Sequence, residues 1–275
     1  RSSDLTGKLK AGIDFIYNAE ACNKLNTLLL EQRPDIVHFH NIYHQLTPAL
    51  IGVAKRFGCK TVLTAHDYKI VCPSYTMLRD GHVCDDCLTG SVSNAFRHRC
   101  QQGDTFKSLL LSLEAYWQKF AQNYAMLDCI IAPSEFMRQT LLRKLPRSRI
   151  DVIVNGIDAS TTVPGDTAGD YFLYIGRLSR EKGVATLALA QQKMQQSMPL
   201  KIVGDGPLGS DLRARFSGPE FLGYMRHGEA LNALIRGARA VIVPSEYYEN
   251  CSMSVLEAMA FGRPVVGGNI GGIPE

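Results

Sequence analysis

Long hydrophobic runs are missing from this sequence. No apolar segment approaches the roughly 18 residues that a membrane-spanning helix needs, and no signal peptide opens the chain. An excess of one charge is missing too, because 30 lysines and arginines against 26 aspartates and glutamates leave a net charge of only +4. Binding of nucleic acid through overall charge is therefore not indicated. We expect a cytoplasmic protein without a nucleic-acid partner.

The composition is that of a globular protein, with 45% hydrophobic and 20% charged residues over 275 positions. That length is enough for two domains of ordinary size. The chain begins at Arg1 rather than at a methionine and stops at Glu275, directly after the turn sequence Gly271-Gly272-Ile273-Pro274. We therefore expect a fragment that lacks the start of one domain and the end of another.

Short β-branched runs alternate with helical patterns along the chain. In the first half, strands are predicted at 35–40, 60–65, 128–132 and 150–154. A stretch at 159–170 that is rich in Gly, Thr, Asp and Pro predicts a linker. After it, strands are predicted at 171–175, 200–203, 220–222, 240–243 and 264–266. The fold class is therefore α/β, with two Rossmann-like, doubly wound parallel-sheet domains at 1–158 and 171–275, both truncated, across a cleft.

The loops that follow the strands of the second domain carry the candidate site, because open parallel sheets bind ligands at the carboxyl ends of their strands. The loop from Gly176 contains the cations Arg177 and Lys182, and a glycine turn begins at Gly204 after the next strand. Each loop alone fits an ordinary surface turn. Together they fit a nucleoside diphosphate bound by cations and by backbone that can approach it closely.

Two glutamates complete this pattern. Glu249 lies in the loop after strand 240–243, and Glu257 lies in the early part of the next helix. Backbone N–H groups at the start of that helix lie between them and can bind an anion. The two acids can therefore accept hydrogen bonds from two ends of one ligand, such as the sugar and the ribose of a sugar nucleotide.

At this point the sequence resembles a known family. Gly176-Arg177-Leu178 with Lys182-Gly183, Gly204 to Pro207, Pro244-Ser245 with Glu249 and Glu257, and Gly271 to Glu275 resemble the donor-binding domain of retaining family 4 glycosyltransferases of the GT-B fold. The resemblance is looser upstream, at the strand ends His38-Phe39-His40 and Thr64-Ala65-His66-Asp67. It is closest to bacterial enzymes that build capsule, exopolysaccharide or O-antigen chains.

The resemblance implies a role for each residue. Arg177 and Lys182 would bind the donor diphosphate and stabilise the leaving group. Glu249 would hold the transferred sugar, Glu257 would accept hydrogen bonds from the ribose, and His66 would contact the sugar or align the acceptor. The residues that would support the donor through their backbone or close approach are Gly176, Gly204, Asn250, Cys251, Ser252 and Met253.

The resemblance also implies the substrates and the outcome of the reaction. The donor would be a nucleotide-diphosphate sugar, the acceptor a saccharide or lipid-linked saccharide, and no catalytic metal would be needed. Retention of configuration would follow. The glycine-rich loop that family members carry early in the acceptor domain is absent here, and we therefore expect this chain alone to be weakly active or inactive.

Four of the eight cysteines lie in one irregular segment, at Cys72, Cys84, Cys87 and Cys100. A C-x2-C pair with two further cysteines fits a tetrahedral zinc site. A long loop without its own apolar core needs a ligand or a cross-link that holds it in place. Free thiols, disulfides and an iron–sulfur cluster are the alternatives that remain. The segment follows the strand end that carries His66, so we expect it near the acceptor side.

Two surface features could bring the protein to an anionic membrane or to a lipid-linked acceptor. The first is a basic run, at Arg138, Arg143, Lys144, Arg147 and Arg149. The second is an apolar stripe with Trp117 on a helix predicted at 105–127. An ordinary solvated face is favoured for the basic run, and ordinary core packing is favoured for the Trp117 stripe.

Three further functions are alternatives to a glycosyltransferase. A zinc-ribbon nucleic-acid binder would have a basic aromatic face around the cysteines, where the sequence instead has Asp80, Asp85 and Asp86. A GT-B epimerase or phosphorylase would need a different nucleophile or a cofactor lysine, which the sequence does not show. A catalytically inactive, zinc-stabilised binding module of the same fold would be expected to have lost the paired glutamates or the two cations. Arg177, Lys182, Glu249 and Glu257 are all present, which favours the enzyme.

Overall fold

The structure is a computed structural model, which describes residues 2–159, 162–165, 169–196 and 198–275. Side chains are described from Lys10 onward within these ranges. The described residues form two compact units. One comprises 84–154 and the chain up to 79, and the other comprises 155–275 with 80–83. The predicted linker at 159–170 lies partly outside the described residues, which omit 160, 161 and 166–168.

The strands of the first half form a parallel sheet and a short hairpin. In chain order they are β1 (Ile36–His40), β2 (Lys60–Thr64), β3 (Leu78–Arg79), β4 (His82–Val83), β5 (Cys129–Ala132) and β6 (Ile150–Val152). The parallel sheet has the order β1-β2-β5-β6, and β3 pairs with β4. The four predicted strands of this half are therefore confirmed, each with slightly shorter bounds.

The helices of this half differ more from the prediction. They are α1 (Ser2–Ile16), α2 (Ala19–Gln32), α3 (Ala49–Arg56), α4 (Asp86–Thr89), α5 (Asn94–Arg97), α6 (Thr105–Phe120) and α7 (Glu135–Leu142). The helix predicted at 105–127 was too long, because α6 ends at Phe120 and a 3-10 turn follows at Asn123–Met126. Ser134 caps α7, since its Oγ accepts from the Met137 N–H at 3.2 Å.

The sequence favoured core packing for the Trp117 stripe, but the structure exposes this stripe to solvent. Trp117 is 41% exposed and Phe120 is 81% exposed. The core of this unit is formed instead by Leu63 and Ile130 of the central strands with Met137 of α7, all fully buried. The buried side of α6 contributes Glu114, which forms a buried ion pair with Lys69 at 2.8 Å.

The second unit is a five-stranded parallel sheet of order β11-β10-β7-β8-β9. Its strands are β7 (Phe172–Ile175), β8 (Leu200–Val203), β9 (Glu220–Gly223), β10 (Ala240–Val243) and β11 (Val265–Gly267), and its helices are α8 (Val184–Gln192), α9 (Gly209–Arg215), α10 (Glu229–Arg236) and α11 (Met253–Ala260). Two apolar clusters pack between the sheet and these helices. The predicted α/β fold with two parallel sheets is confirmed.

Candidate functional site

The loops of the second unit pack closely against one another at the carboxyl ends of its strands. Gly204 has φ +136°, and a Cβ there would lie 1.9 Å from the carbonyl oxygen of Gly176. Gly183 has φ +67°, and a Cβ there would lie 1.9 Å from the carbonyl oxygen of Pro244. Both positions therefore require glycine. The loops that carry Arg177, Lys182 and Glu249 are thereby fixed next to each other.

Glu249 is the centre of a hydrogen-bonded cluster in these loops. It is only 6% exposed. Its Oε1 accepts from Lys182 Nζ at 2.7 Å and from Ser245 Oγ at 2.6 Å, and its Oε2 accepts from the Tyr247 hydroxyl at 2.8 Å. The Tyr247 hydroxyl accepts in turn from Lys182 Nζ at 3.0 Å. A buried carboxylate with three such donors is both oriented and charge-compensated.

This cluster joins two residues that the sequence predicted for different parts of the donor. Lys182 was expected at the diphosphate and Glu249 at the sugar, and the structure places them in direct contact. Burial, followed by the negative charge of Glu249, raises the pKa of Tyr247. Its hydroxyl therefore stays protonated and remains a donor to the carboxylate.

Arg177 follows β7 and has an exposed side chain. Its backbone carbonyl accepts a hydrogen bond from the buried Tyr174 hydroxyl at 2.8 Å, which fixes the loop to β7. Among the described residues, the Arg177 guanidinium forms no ion pair. It is therefore a cation that is available to an anionic ligand.

Residues 250–252 lie in the loop before α11, and Met253 is the first residue of that helix. The backbone of Glu249 accepts from the Gly272 N–H at 2.7 Å, so the turn after β11 holds this loop in place. Glu257 lies one turn into α11, with 18% of its side chain exposed. Burial raises its pKa, and His227 Nδ1 lies 3.8 Å from its Oε1.

His66 lies in the first unit, at the end of β2. Its Nε2 is 2.8 Å from His40 Nδ1, and His38 Nε2 is 2.8 Å from the hydroxyl of Thr64. Burial and the neighbouring His40 lower the pKa of both His38 and His66. These two imidazoles are therefore neutral near pH 7 and can act as hydrogen-bond donors or acceptors without a charge.

A cavity of about 480 Å³ lies next to these strand ends, and the sequence did not reveal it. Its lining residues are Phe15, Asn41, Tyr43, His44, Asp67, Tyr75, Gln101, Lys107, Leu110 and Leu111. Burial raises the pKa of Asp67. Within the part of the chain that the structure describes, the Tyr43 hydroxyl and His44 Nδ1 are buried in this wall without a hydrogen-bond partner. Such groups usually have one in a protein or its complex.

The four cysteines of the predicted zinc site lie in the segment between β2 and α6. Cys72 and Cys87 share a hydrogen bond, and the Cys87 thiol, as donor, lowers the pKa of Cys72. Ser74 Oγ lies 3.2 Å from Cys72 Sγ. Among the described residues, no group of three or more His, Cys, Asp or Glu side chains is placed to hold a metal ion. The zinc site therefore stays a prediction.

Several residues of the candidate site were not assigned a role from the sequence. Ser245 and Tyr247 lie four and two positions before Glu249, and His227 and Tyr174 come from more distant loops and strands. Ser245 belongs to a motif of the family resemblance but was given no role, and for Tyr247 the signal was its proximity to an acidic loop residue. Nothing in the sequence pairs His227 with Glu257, because 30 positions separate the two residues.

Comparison with known proteins gives matches over nearly the whole chain. A family model described as Glycosyltransferase Family 4 matches residues 12–161, and one described as Glycosyl transferases group 1 matches residues 169–275. A glycogen synthase of Mycobacterium tuberculosis is 37% identical over 46% of this chain and 34% of its own length. An alpha-maltose-1-phosphate synthase of Mycolicibacterium smegmatis is 28% identical over 97% of this chain and 65% of its own length.

Solved structures share the fold at lower identity. Anabaena HepE in complex with UDP-glucose superposes with a TM-score of 0.59 at 17% identity, covering 91% of this chain and 64% of its own. The chain thus spans from about a third to about two thirds of the length of the proteins it matches. None of the helices in the described part of the chain is long and apolar enough to cross a membrane.

Proposed function

The chain belongs to glycosyltransferase family 4, and from this premise we propose that it is part of a transferase. This enzyme moves a sugar from a nucleotide-diphosphate sugar to a saccharide, with retention of the anomeric configuration. The observation that carries the proposal is the buried Glu249 carboxylate, held by Lys182, Ser245 and Tyr247 where β10 ends. This is the edge of a parallel sheet at which ligands bind.

The donor diphosphate would bind at Arg177 and Lys182. Arg177 is exposed and forms no ion pair in the described part of the chain, so it can pair with a phosphate at no cost in existing contacts. Lys182 is 26% exposed and can contact a phosphate while it remains near Glu249. The two cations would stabilise the charge that develops on the leaving diphosphate. No catalytic metal is needed for this step.

The sugar and the ribose would be recognised by the two acids. Glu249 is fixed by its three donors, so it can hold the transferred sugar through a carboxylate whose position does not change. Glu257 would accept hydrogen bonds from the ribose hydroxyls, and backbone N–H groups of 250–253 would support the donor at the start of α11. The UDP-glucose in the HepE structure supports a donor of this class.

Retention would follow from attack on the face from which the diphosphate leaves. The bond between the anomeric carbon and the phosphate oxygen breaks, a bond to the acceptor oxygen forms, and the departing phosphate oxygen takes the acceptor proton. In this proposal the protein positions the reactants and stabilises charge, and none of its side chains forms a covalent intermediate.

The acceptor would bind in the first unit. The 480 Å³ cavity combines aromatic faces at Phe15 and Tyr75 with polar groups at Asn41, Asp67 and Gln101, which is suitable for a saccharide. Acceptor hydroxyls could supply partners for the polar groups of its wall. The neutral His66 at the end of β2 would help to align the acceptor. The names of the two mycobacterial relatives also support a saccharide acceptor.

We place the reaction in the assembly of cell-surface polysaccharides, as the resemblance of the sequence implies. In that setting the acceptor is a saccharide that is free or linked to a lipid, and the enzyme would contact the membrane from its inner face. The exposed Trp117 and Phe120 support such a peripheral contact, because an aromatic side chain can insert at the boundary of headgroups and acyl chains.

A thermal-shift screen with UDP, GDP, ADP and CMP tests the proposal. A nucleotide at 100 times its dissociation constant stabilises the folded state by about 2.7 kcal/mol, so one nucleotide should raise the Tm clearly above the others. Arg177→Gln should reduce this shift, whereas Arg215→Gln, which removes an exposed arginine paired with Asp211 on α9, should not. If no nucleotide shifts the Tm, the proposed donor site is wrong.

A further inference from the structure

A second cavity in the first unit, of about 710 Å³, is surrounded by positive charge. Lys119 reaches it from α6, and Arg143, Lys144 and Arg147 reach it from the turn between α7 and β6. These residues lie where the two helices end, and the proposed acceptor cavity shares none of their side chains. The transfer reaction as proposed uses none of them.

The four cations have no acidic partner. Among the described residues, none of them forms an ion pair with a carboxylate. In contrast, the neighbouring Arg138 pairs with Glu135 at 2.6 Å and Arg149 pairs with Asp151 at 2.7 Å. Burial, followed by the charge of Lys119, lowers the pKa of Lys144, so Lys144 lies close enough to another cation to be disfavoured by it.

Stabilisation of helix ends explains only part of this cluster. A cation in the last turn of a helix interacts favourably with its carbonyl groups. That accounts for Lys119 in the last turn of α6 and for Arg143 at the C-cap of α7. Arg147 lies five residues beyond the end of α7, and Lys144 Nζ donates to the Gly90 carbonyl at 3.0 Å, away from its own helix. Two cations therefore remain to be explained.

The rest of the wall is largely apolar. Ile70, Leu145 and Tyr124 line the cavity, and the Tyr124 hydroxyl is buried behind its surface. Glu114 also lines the cavity, but its charge is compensated by Lys69 at 2.8 Å. The cavity thus offers four cations and an apolar wall.

The same helix that carries Lys119 presents an apolar row to solvent. Leu113 is 49% exposed, Trp117 is 41% exposed and Phe120 is 81% exposed. Residues three and four apart share a face of a helix, so this row continues for two turns. Lys119 lies two positions after Trp117 and therefore on another face of α6, and Trp117 lines a separate cavity with Tyr17 and Ala49. The row is therefore a surface apart from the cavity of the cations.

We infer that the cavity lined by Lys119, Arg143, Lys144 and Arg147 is a binding site for a phosphate group carried on an apolar chain. The cations bind the phosphate oxygens, and the apolar wall of the cavity takes the chain. If the phosphate group belongs to a membrane lipid, the inference also rests on the membrane contact proposed above. The anion site itself does not depend on it.

Binding to vesicles and to free phosphate tests the inference and separates the two sources of the ligand. The purified protein is sedimented with vesicles of phosphatidylcholine alone and with vesicles of phosphatidylcholine and phosphatidylglycerol in equal parts. It is titrated in parallel with inorganic phosphate and with a short-chain phosphatidic acid in a calorimeter. We expect binding to the anionic vesicles and to phosphatidic acid, and weaker binding when salt is raised.

A matched pair of variants assigns the binding to this cavity. Lys144→Gln with Arg147→Gln should weaken binding roughly 25-fold, since each cation near an anionic surface contributes a factor of about five. Arg138→Gln with Arg149→Gln changes the net charge equally but removes only arginines that are already paired, so it should have a much smaller effect. The nucleotide thermal shift of both variants should match that of the wild type, which keeps this site separate from the donor site.

Each outcome decides the inference. Binding of inorganic phosphate but not of vesicles, lost in the first variant, supports the anion site with a free phosphate compound as its ligand. Binding of anionic vesicles that is lost in the first variant supports a lipid headgroup. Equal loss in both variants, or no binding of any phosphate compound by the wild type, overturns it.

Discussion

The ammonium of Lys182 lies 2.7 Å from Oε1 of Glu249, with 8% of the Glu249 side chain exposed and 26% of the Lys182 side chain exposed. The acid is thus the buried partner and the lysine is the one that reaches solvent. Removing the lysine would leave the buried carboxylate without this charged donor, while the hydroxyls of Ser245 and Tyr247 would still donate to it. The pair therefore contributes to folding as well as to the proposed donor site.

Replacement of Lys182 should lower both stability and donor binding. In Lys182→Gln the charge-assisted hydrogen bond is lost, and we expect the free energy of unfolding to fall by about 1.5–3 kcal/mol, as measured by urea unfolding. Lys193→Gln, at an exposed position after α8, is the matched control and should change stability by less than about 0.5 kcal/mol. Equal stability of both variants would show that the pair contributes nothing.

The raised pKa of Glu257 predicts a pH dependence of donor binding. Only the ionised carboxylate accepts hydrogen bonds from both ribose hydroxyls, so affinity should be full above the raised pKa and should fall as pH decreases through it. Because the pKa is raised by burial, this loss should begin at a higher pH than for an ordinary glutamate. Glu257→Gln should weaken nucleotide binding and remove this pH dependence. A variant with an unchanged pH profile would exclude Glu257 as the titrating group.

Gly183 and Gly223 form a matched pair for a test of loop packing. Both have positive φ, +67° and +73°, but only a Cβ at Gly183 would meet another atom, the Pro244 carbonyl oxygen at 1.9 Å. Gly223→Ala should cost about 1–2 kcal/mol for its backbone conformation alone. Gly183→Ala should cost clearly more and should also displace the loop of Lys182. Similar unfolding free energies for the two variants would mean that the loop can move away without cost.

The parallel sheets, and the position of Arg177, Lys182 and Glu249 in loops that follow strands, could be predicted from the sequence, because β-branched runs followed by glycine turns have a clear pattern. The donor-binding roles of these residues stay predictions. The direct contact of Lys182 with Glu249 could not be predicted, because 67 positions separate them and only the packing of two loops brings them together. The exposure of Trp117 and Phe120 was missed for a related reason. An apolar stripe has the same period on a helix whether it packs against a core or faces solvent.

The cysteine segment allows a direct test of the predicted metal. The spacing of Cys72, Cys84, Cys87 and Cys100 predicts one zinc ion per chain, measured by elemental analysis of protein purified without chelators. Cys84→Ser should remove the metal, whereas Cys129→Ser, on β5 outside the segment, should retain it. A metal-free wild type would contradict the prediction and would agree with the hydrogen bond between the Cys72 and Cys87 thiols.

Calorimetric titration with the nucleoside diphosphate that gives the largest thermal shift tests the donor site most directly. The account predicts one binding site per chain in the wild type, an affinity reduced at least about tenfold in Arg177→Gln through the loss of a charge-assisted contact, and an unchanged affinity in Arg215→Gln. Equal affinities of the wild type and Arg177→Gln would contradict it, as would the absence of binding in the wild type.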